Sequence, residues 1–384
     1  MYYERVLAKP KSSFFLFGCR GTGKSTWVKH QFPDAHVISL LDESLYQSFL
    51  AAPELFRKRL RAIKDTEWIF VDEIQRLPQL LNEVHAAIEE FKLKFILCGS
   101  SARKLKRAGV NLLGGRALER RLYPFLPQEM GGNYSLESVL QLGSLPLIVA
   151  SDEKEDQLAA YAQLYLKEEI QAEALVRNLA GFARFLPIAA LSHAQAVNVT
   201  NIARDSGSAR TTVEGYLQIL EETLMTFRIH GFESKMRVRE RKLPKLYWVD
   251  PGIVRSVLKN KGAPDAESRG ALFEGVVATF LMAMKAYQKD FADEIFYWSP
   301  AEASTTEVDF LIQRGNEFIA IECKSGKTFR NDWTKGLRAL SGLKGLVRRI
   351  VVCPETAPLQ TEDKTAVLSF LDFVQQVQSN SLWP

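Results

Sequence analysis

The run FFLFGCRGTGKST, residues 14–26, narrows what this chain can fold into more than any other stretch. Four apolar residues lead into a glycine loop, and the loop leads into a helix start. Gly18, Gly23, Lys24 and Ser25 satisfy G-x-x-x-x-G-K-[ST], a pattern that chance supplies about once in a hundred chains of this length. A mere turn is therefore set aside. Glycines let the loop backbone aim its N–H groups at a phosphate, and the helix N-terminus adds positive potential. In such a loop Lys24 reaches the β and γ phosphates and Ser25 ligates Mg²⁺, so ATP with Mg²⁺ is the expected ligand.

The same reading extends along the first third of the chain. EWIFVDEIQRLP is an apolar strand ending in Asp72, expected in the magnesium shell, and Glu73, expected to orient or deprotonate the attacking water. A third strand, KFILCGSS, ends in Ser100 and Ser101, where a γ-phosphate can be sensed. Gly18, Gly21, Gly23, Lys24, Ser25, Thr26, Asp72 and Ser100 make up the expected nucleotide-binding set. Strands alternate with helical patterns over residues 12–125, which predicts a parallel α/β sheet with its site at the strand C-termini. A basic segment follows, in which Arg103, Lys104, Lys106, Arg107, Arg116, Arg120 and Arg121 face one acid, Glu119. It suits nucleic acid, a solvated surface, or an arginine finger acting on a neighbouring subunit; Arg116 is the finger candidate, and that role requires a homo-oligomer.

The middle of the chain reads as a helical connector and a helix-turn-helix. Residues 151–195 are rich in Ala, Leu, Glu and Gln. In VTNIARDSGSARTTVEGYLQILEE a short helix turns at Ser206-Gly207 into a second helix. There Val213, Tyr216, Leu217 and Leu220 form a buried stripe and leave Arg210, Thr211 and Glu214 outward. Two strands then flank a basic tip with Lys235, Arg237, Arg239, Arg241 and Lys242, as in a wing. Such a unit either contacts nucleic acid or packs domains together.

The last third places charges inside apolar strands. EVDFLIQRGNEFIAIECKSG, residues 307–326, reads as two strands around a Gly-Asn turn, so that Asp309 and Glu322 converge and Lys324 shares the Glu322 face. Two carboxylates at one point need a cation, and hard oxygen ligands suit Mg²⁺ or Mn²⁺. Lys324 beside such a metal can assist an attacking water. A helix upstream carries Glu274 among apolar neighbours, and the element order from residue 270 is αβββαβ.

Composition adds bounds rather than chemistry. The 384 residues suffice for two to three domains, and 46% hydrophobic with 25% charged residues is ordinary for a globular chain. A net charge of +5 is only mildly basic. Cys19, Cys98, Cys323 and Cys353 are scattered and the five histidines have no zinc spacing, which points to a reduced, cytoplasmic setting. No run is expected to reach membrane-span length.

The Asp309, Glu322-x-Lys324 set resembles the PD-(D/E)xK nuclease fold, with Glu274 matching its helix glutamate. Together with FGCRGTGKST, FVDEIQRLPQLL, LCGSSARKL and GGR before LYPF, it resembles the prokaryotic AAA-type P-loop ATPases that continue into a winged helix and a C-terminal nuclease-like domain. The resemblance implies an AAA-like parallel-sheet domain over 1–150, a helical and winged-helix domain over 151–258, and a nuclease-like domain over 259–384. It implies ATP and Mg²⁺ at Gly23, Lys24, Ser25, Asp72 and Glu73, and metal at Glu274, Asp309 and Glu322 with Lys324 assisting. Cys19 stands where that family usually has proline, and Val308 where the nuclease motif has its proline. Three readings stay open: an ATP-driven nuclease on DNA, an ATP switch with a non-cleaving platform, and a DNA-processing motor.

Overall fold

The computed structural model describes residues 2–63, 67–100, 113–165, 179–233, 240–301, 306–326 and 328–384. Ser101, Arg103, Lys104, Lys106 and Arg107 of the basic segment, and Lys235, Arg237 and Arg239 of the tip, lie outside the described residues. The chain forms two compact units: residues 1–124 with 145–150 and 218–225, and residues 125–144 with 151–217 and 226–384.

The first unit carries five strands: β1 (Phe14–Phe17), β2 (His36–Ser39), β3 (Trp68–Asp72), β4 (Lys94–Gly99) and β5 (Leu118–Arg121). They lie in the order β2-β3-β4-β1-β5, and every pairing is parallel. All four residues of β1 are buried, as a parallel strand covered on both faces requires. Phe15, Phe17, Ile69, Val71, Phe95 and Leu97 pack with Leu80, Leu81 and Val84 of the helix Leu80–Phe91 into one core. The sheet thereby sets the C-terminal ends of β1, β3 and β4 side by side, and the glycine loop, Asp72 and Ser100 sit at those ends.

The second unit is built on a nine-stranded sheet. Its strands are β6 (Gln195–Ala196), β7 (Thr226–Gly231), β8 (Lys245–Trp248), β9 (Glu294–Trp298), β10 (Val308–Arg314), β11 (Glu317–Cys323), β12 (Leu346–Cys353), β13 (Leu359–Gln360) and β14 (Ala366–Ser369). The order is β13-β14-β12-β11-β10-β9-β7-β8-β6. β10 and β11 pair antiparallel from Phe310↔Ile321 to Arg314↔Glu317, around Gly315 at φ 58°, as the alternation and the Gly-Asn turn predict. The helix Ala266–Tyr287 is capped by Asp265, whose side chain accepts from the Ser268 N–H. β6, β7 and β8 precede residue 259 yet share this sheet, because β7 pairs in parallel with β9 through His230↔Phe296 and Gly231↔Tyr297. Their pairing covers an edge that β9 would otherwise expose.

The helices Val199–Ser206 and Arg210–Glu222 occupy the helix-turn-helix segment, with Gly207 at φ 60° between them. Val213, Tyr216, Leu217 and Leu220 are buried, while Arg210, Thr211 and Glu214 are exposed. One expectation fails: the helix Ala266–Tyr287 is long and apolar enough to cross a membrane. Its apolar residues are spent on the interior instead, where Phe273, Val277, Phe280, Leu281 and Met284 are buried.

Candidate functional site

The glycine loop has the conformation its composition demands. Gly21 and Gly23 hold φ 81° and 79°, where a side chain is strained, and a Cβ on Gly18 would lie 2.5 Å from the Leu122 carbonyl oxygen. The helix Lys24–Gln31 starts there with no acidic residue in its first turn, so its positive end is unopposed. Lys24 Nζ donates to the carbonyl oxygens of Gly18 at 2.7 Å and Cys19 at 3.2 Å. Ser25 Oγ donates to Asp72 Oδ2 at 2.8 Å, which joins the helix start to the end of β3. A hydroxyl and a carboxylate meeting beside a glycine cradle fit Mg²⁺ held with a polyphosphate. Thr26 is exposed, whereas buried Thr22, which the motif leaves unspecified, donates from Oγ1 to the Cys19 carbonyl at 2.7 Å.

Glu73 sits in the left-handed region at φ 59°, unusual for a residue with a side chain. Gln75 Nε2 donates both to Glu73 Oε2 at 2.5 Å and to Ser100 Oγ at 3.1 Å. Gln75 is buried and ties the ends of β3 and β4 together, a role without any sequence signal beyond its place in the loop. Arg116 is 41% exposed on its side chain and pairs with Glu89 at 2.5 Å.

The acids of the second unit also meet, but around an unforeseen residue. Lys245 on β8 is 3% exposed, and its Nζ pairs with Glu274 Oε1 at 2.9 Å, Asp309 Oδ1 at 3.4 Å and Glu307 Oε1. Tyr247 Oη donates to the same Glu274 oxygen at 2.6 Å. Asp309 Oδ2 accepts the Cys323 N–H at 2.8 Å, and Lys324 Nζ donates to Glu322 Oε1 at 2.5 Å. Glu322 Oε2 is buried without a hydrogen-bond partner. Among the described residues no group of three or more His, Cys, Asp or Glu side chains has the arrangement to hold a metal ion. Glu274 and Asp309 thus share the Lys245 ammonium while Glu322 pairs with Lys324, so the residues present do not fit a metal in this arrangement.

The electrostatics follow from burial. Burial lifts the Glu274 carboxyl to about 7, and Asp309 beside it adds to the rise, against the opposing pull of Lys245. Glu322 is raised well above the carboxylate range by burial and then by Asp309. Burial pulls Lys245 down, but Glu274, Tyr247, Asp309 and Glu307 outweigh it and leave the ammonium more firmly protonated than an ordinary lysine.

Three successive segments of the chain match known domain families. Residues 10–131 match the AAA domain family, residues 133–263 a domain of unknown function, DUF8612, and residues 269–373 another, DUF4143. The first segment thus matches an AAA domain in sequence and has the parallel sheet and glycine loop of a P-loop ATPase fold. An uncharacterised protein of Mycobacterium tuberculosis is 23% identical over 268 residues, covering 68% of this chain and 59% of its own length. One of Haemophilus influenzae is 22% identical over 287 residues, 70% of this chain and 68% of its own. The chain therefore spans about three-fifths of the length of the mycobacterial relative it matches. A solved Walker-type ATPase of Pyrococcus abyssi is similar at 16% identity and a TM-score of 0.43, covering 64% of this chain and 90% of that one.

Proposed function

We propose that this chain binds and hydrolyses Mg·ATP at the P-loop and uses the cycle to change how it engages nucleic acid, DNA being the favoured substrate. The Ser25–Asp72 contact at 2.8 Å carries the reading, since it brings the two expected magnesium-side groups together from residues 47 apart in sequence. Lys24, resting on two loop carbonyls, exchanges them for phosphate oxygens when nucleotide enters. Bound Mg²⁺ would supply charge neutralisation on the phosphates. Glu73, which accepts from the same Gln75 amide that donates to Ser100, would orient the attacking water and take its proton.

Nucleic-acid engagement is supported by the outward face of the helix Arg210–Glu222, where Arg210 and Thr211 are exposed while the opposite stripe is buried. That pattern favours reading this segment as a winged helix-turn-helix. Arg116 as a finger in a homo-oligomer remains part of the proposal, with Glu89 as the partner it would leave.

ATP turnover by the full chain, with and without DNA, tests this. Glu73→Gln should lower kcat by about 100-fold or more while nucleotide still binds. Lys24→Ala should lose binding itself. Turnover undiminished in Glu73→Gln would remove the assigned base, and turnover undiminished in Lys24→Ala would remove the proposal.

A further inference from the structure

We propose that Lys245 is the resident cation of the acid cluster, so that the chain closes its nuclease-like site from within and takes no divalent metal there. Nothing in the P-loop reading requires this, and it stands apart from ATP turnover.

The geometry is specific. A hexahydrated or carboxylate-bound Mg²⁺ or Mn²⁺ demands near-octahedral oxygen ligation at short distances. Here the Glu274 and Asp309 oxygens that would supply it already receive Lys245 Nζ at 2.9 and 3.4 Å. Glu274 Oε1 also takes the Tyr247 hydroxyl, and the second Asp309 oxygen takes the Cys323 amide. Glu322 Oε2 is buried without a partner, and its carboxylate pairs with Lys324 rather than with Lys245.

Lys245 cannot easily be drawn away. β8 is paired on both sides, with Ile229 of β7 and Ala196 of β6 opposite Lys245, so the backbone is fixed in the sheet. Its side chain is buried, and its ammonium also lies 5.5 Å from the centre of the Tyr297 ring. Leaving would strand buried Asp309 and mostly buried Glu274 and require a new partner for the ammonium. Glu307 joins the same lysine although the metal motif has no use for it, which favours a site organised around the ammonium.

Mn²⁺ alone, added to the nucleotide-free full chain and followed by loss of the free-ion electron paramagnetic resonance signal, provides the test. Wild type and Asp309→Asn should take up the same amount with affinities within twofold. Lys245→Ala, with the acids freed, should bind one additional Mn²⁺ per chain, and adding Asp309→Asn should remove that ion again. A folded Lys245→Ala chain that gains no ion overturns the proposal. Where Lys245→Ala does not fold, the first pair decides alone: Mn²⁺ binding by wild type that Asp309→Asn weakens tenfold or more overturns it, and equal binding upholds it. Plasmid nicking by wild type that Asp309→Asn abolishes would overturn it as well.

Discussion

His193 shows how tightly one side chain can fix its surroundings. Its Nδ1 accepts the Trp248 N–H at 3.1 Å, so the neutral ring carries its proton on Nε2. Burial holds its pKa down to about 4, against a smaller upward pull from the Ala271 carbonyl. Between about 6.5, where an unfolded histidine titrates, and 4, the unfolded chain binds a proton that the folded chain refuses. Stability is therefore full above that window and falls as pH drops through it, by roughly 3 kcal/mol in all. Urea midpoints measured from pH 7 to 4.5 should show the fall, and His193→Gln should flatten it. The same ring explains a helical glycine. A Cβ on Gly275 would lie 2.1 Å from His193 Nε2, in the interior of the helix Ala266–Tyr287. Alanine there gains about 0.5–1 kcal/mol of helix propensity but overpacks a buried contact at about 1–3 kcal/mol. Gly275→Ala should therefore lower the urea midpoint, and in a His193→Ala background the same change should raise it. An unchanged sign in that background would separate the glycine from the histidine.

At the scale of elements, legibility tracks sequence distance. The P-loop could be read because its strand, loop and helix start are contiguous, and the β10–β11 pair because period-two alternation and a Gly-Asn turn fix its register. Lys245 could not, since it reaches Glu274 and Asp309 from 29 and 64 residues away and looks in sequence like the first residue after a wing tip. Gln75 is similar on a shorter span, for its contact with Ser100 exists only once β3 and β4 lie side by side. The boundary expected at residue 259 gave no hint that β6–β8 would extend the later sheet, because parallel pairing between β7 and β9 leaves no local mark. The helix Arg210–Glu222 was readable from its stripe, and it carries its own prediction. Arg210 bonds Glu214 at 3.2 Å with 68% and 48% of the two side chains exposed, a pairing worth little in water. Its charge is therefore available to phosphate, and Arg210→Ala should weaken DNA binding about equally across sequences and reduce the salt slope by about one. Titrations at several salt concentrations would read this, and an unaltered slope would take Arg210 out of the interface.

For the whole molecule, the two compact units pose one question: whether nucleotide at the first is felt in the second. A ligand shifts an equilibrium only by its differential affinity for the states concerned. Mg·ATP should slow amide exchange in residues 17–26 and 68–76, where the loop, Asp72 and Glu73 stand. A protein that merely stores nucleotide would show protection there and nowhere else. A switch must also change exchange in the second unit, and the segment that reports it is the helix Val199–Ser206 with residues 210–217 of the helix Arg210–Glu222, where Arg210 is proposed to meet DNA. Hydrogen-exchange mass spectrometry of wild type with Mg·ATP, Mg·ADP and no nucleotide separates the cases. Exchange over 199–217 that differs between ATP and ADP, and is lost in Lys24→Ala, is the expected result. Linkage adds a reciprocal requirement: if ATP alters affinity for DNA by some factor, DNA alters affinity for ATP by the same factor. DNA added at saturation should therefore shift the ATP dissociation constant by the ratio seen in the DNA titrations. Nucleotide-dependent exchange confined to residues 1–124, together with an ATP affinity indifferent to DNA, would leave an ATPase domain with no coupled partner in this chain.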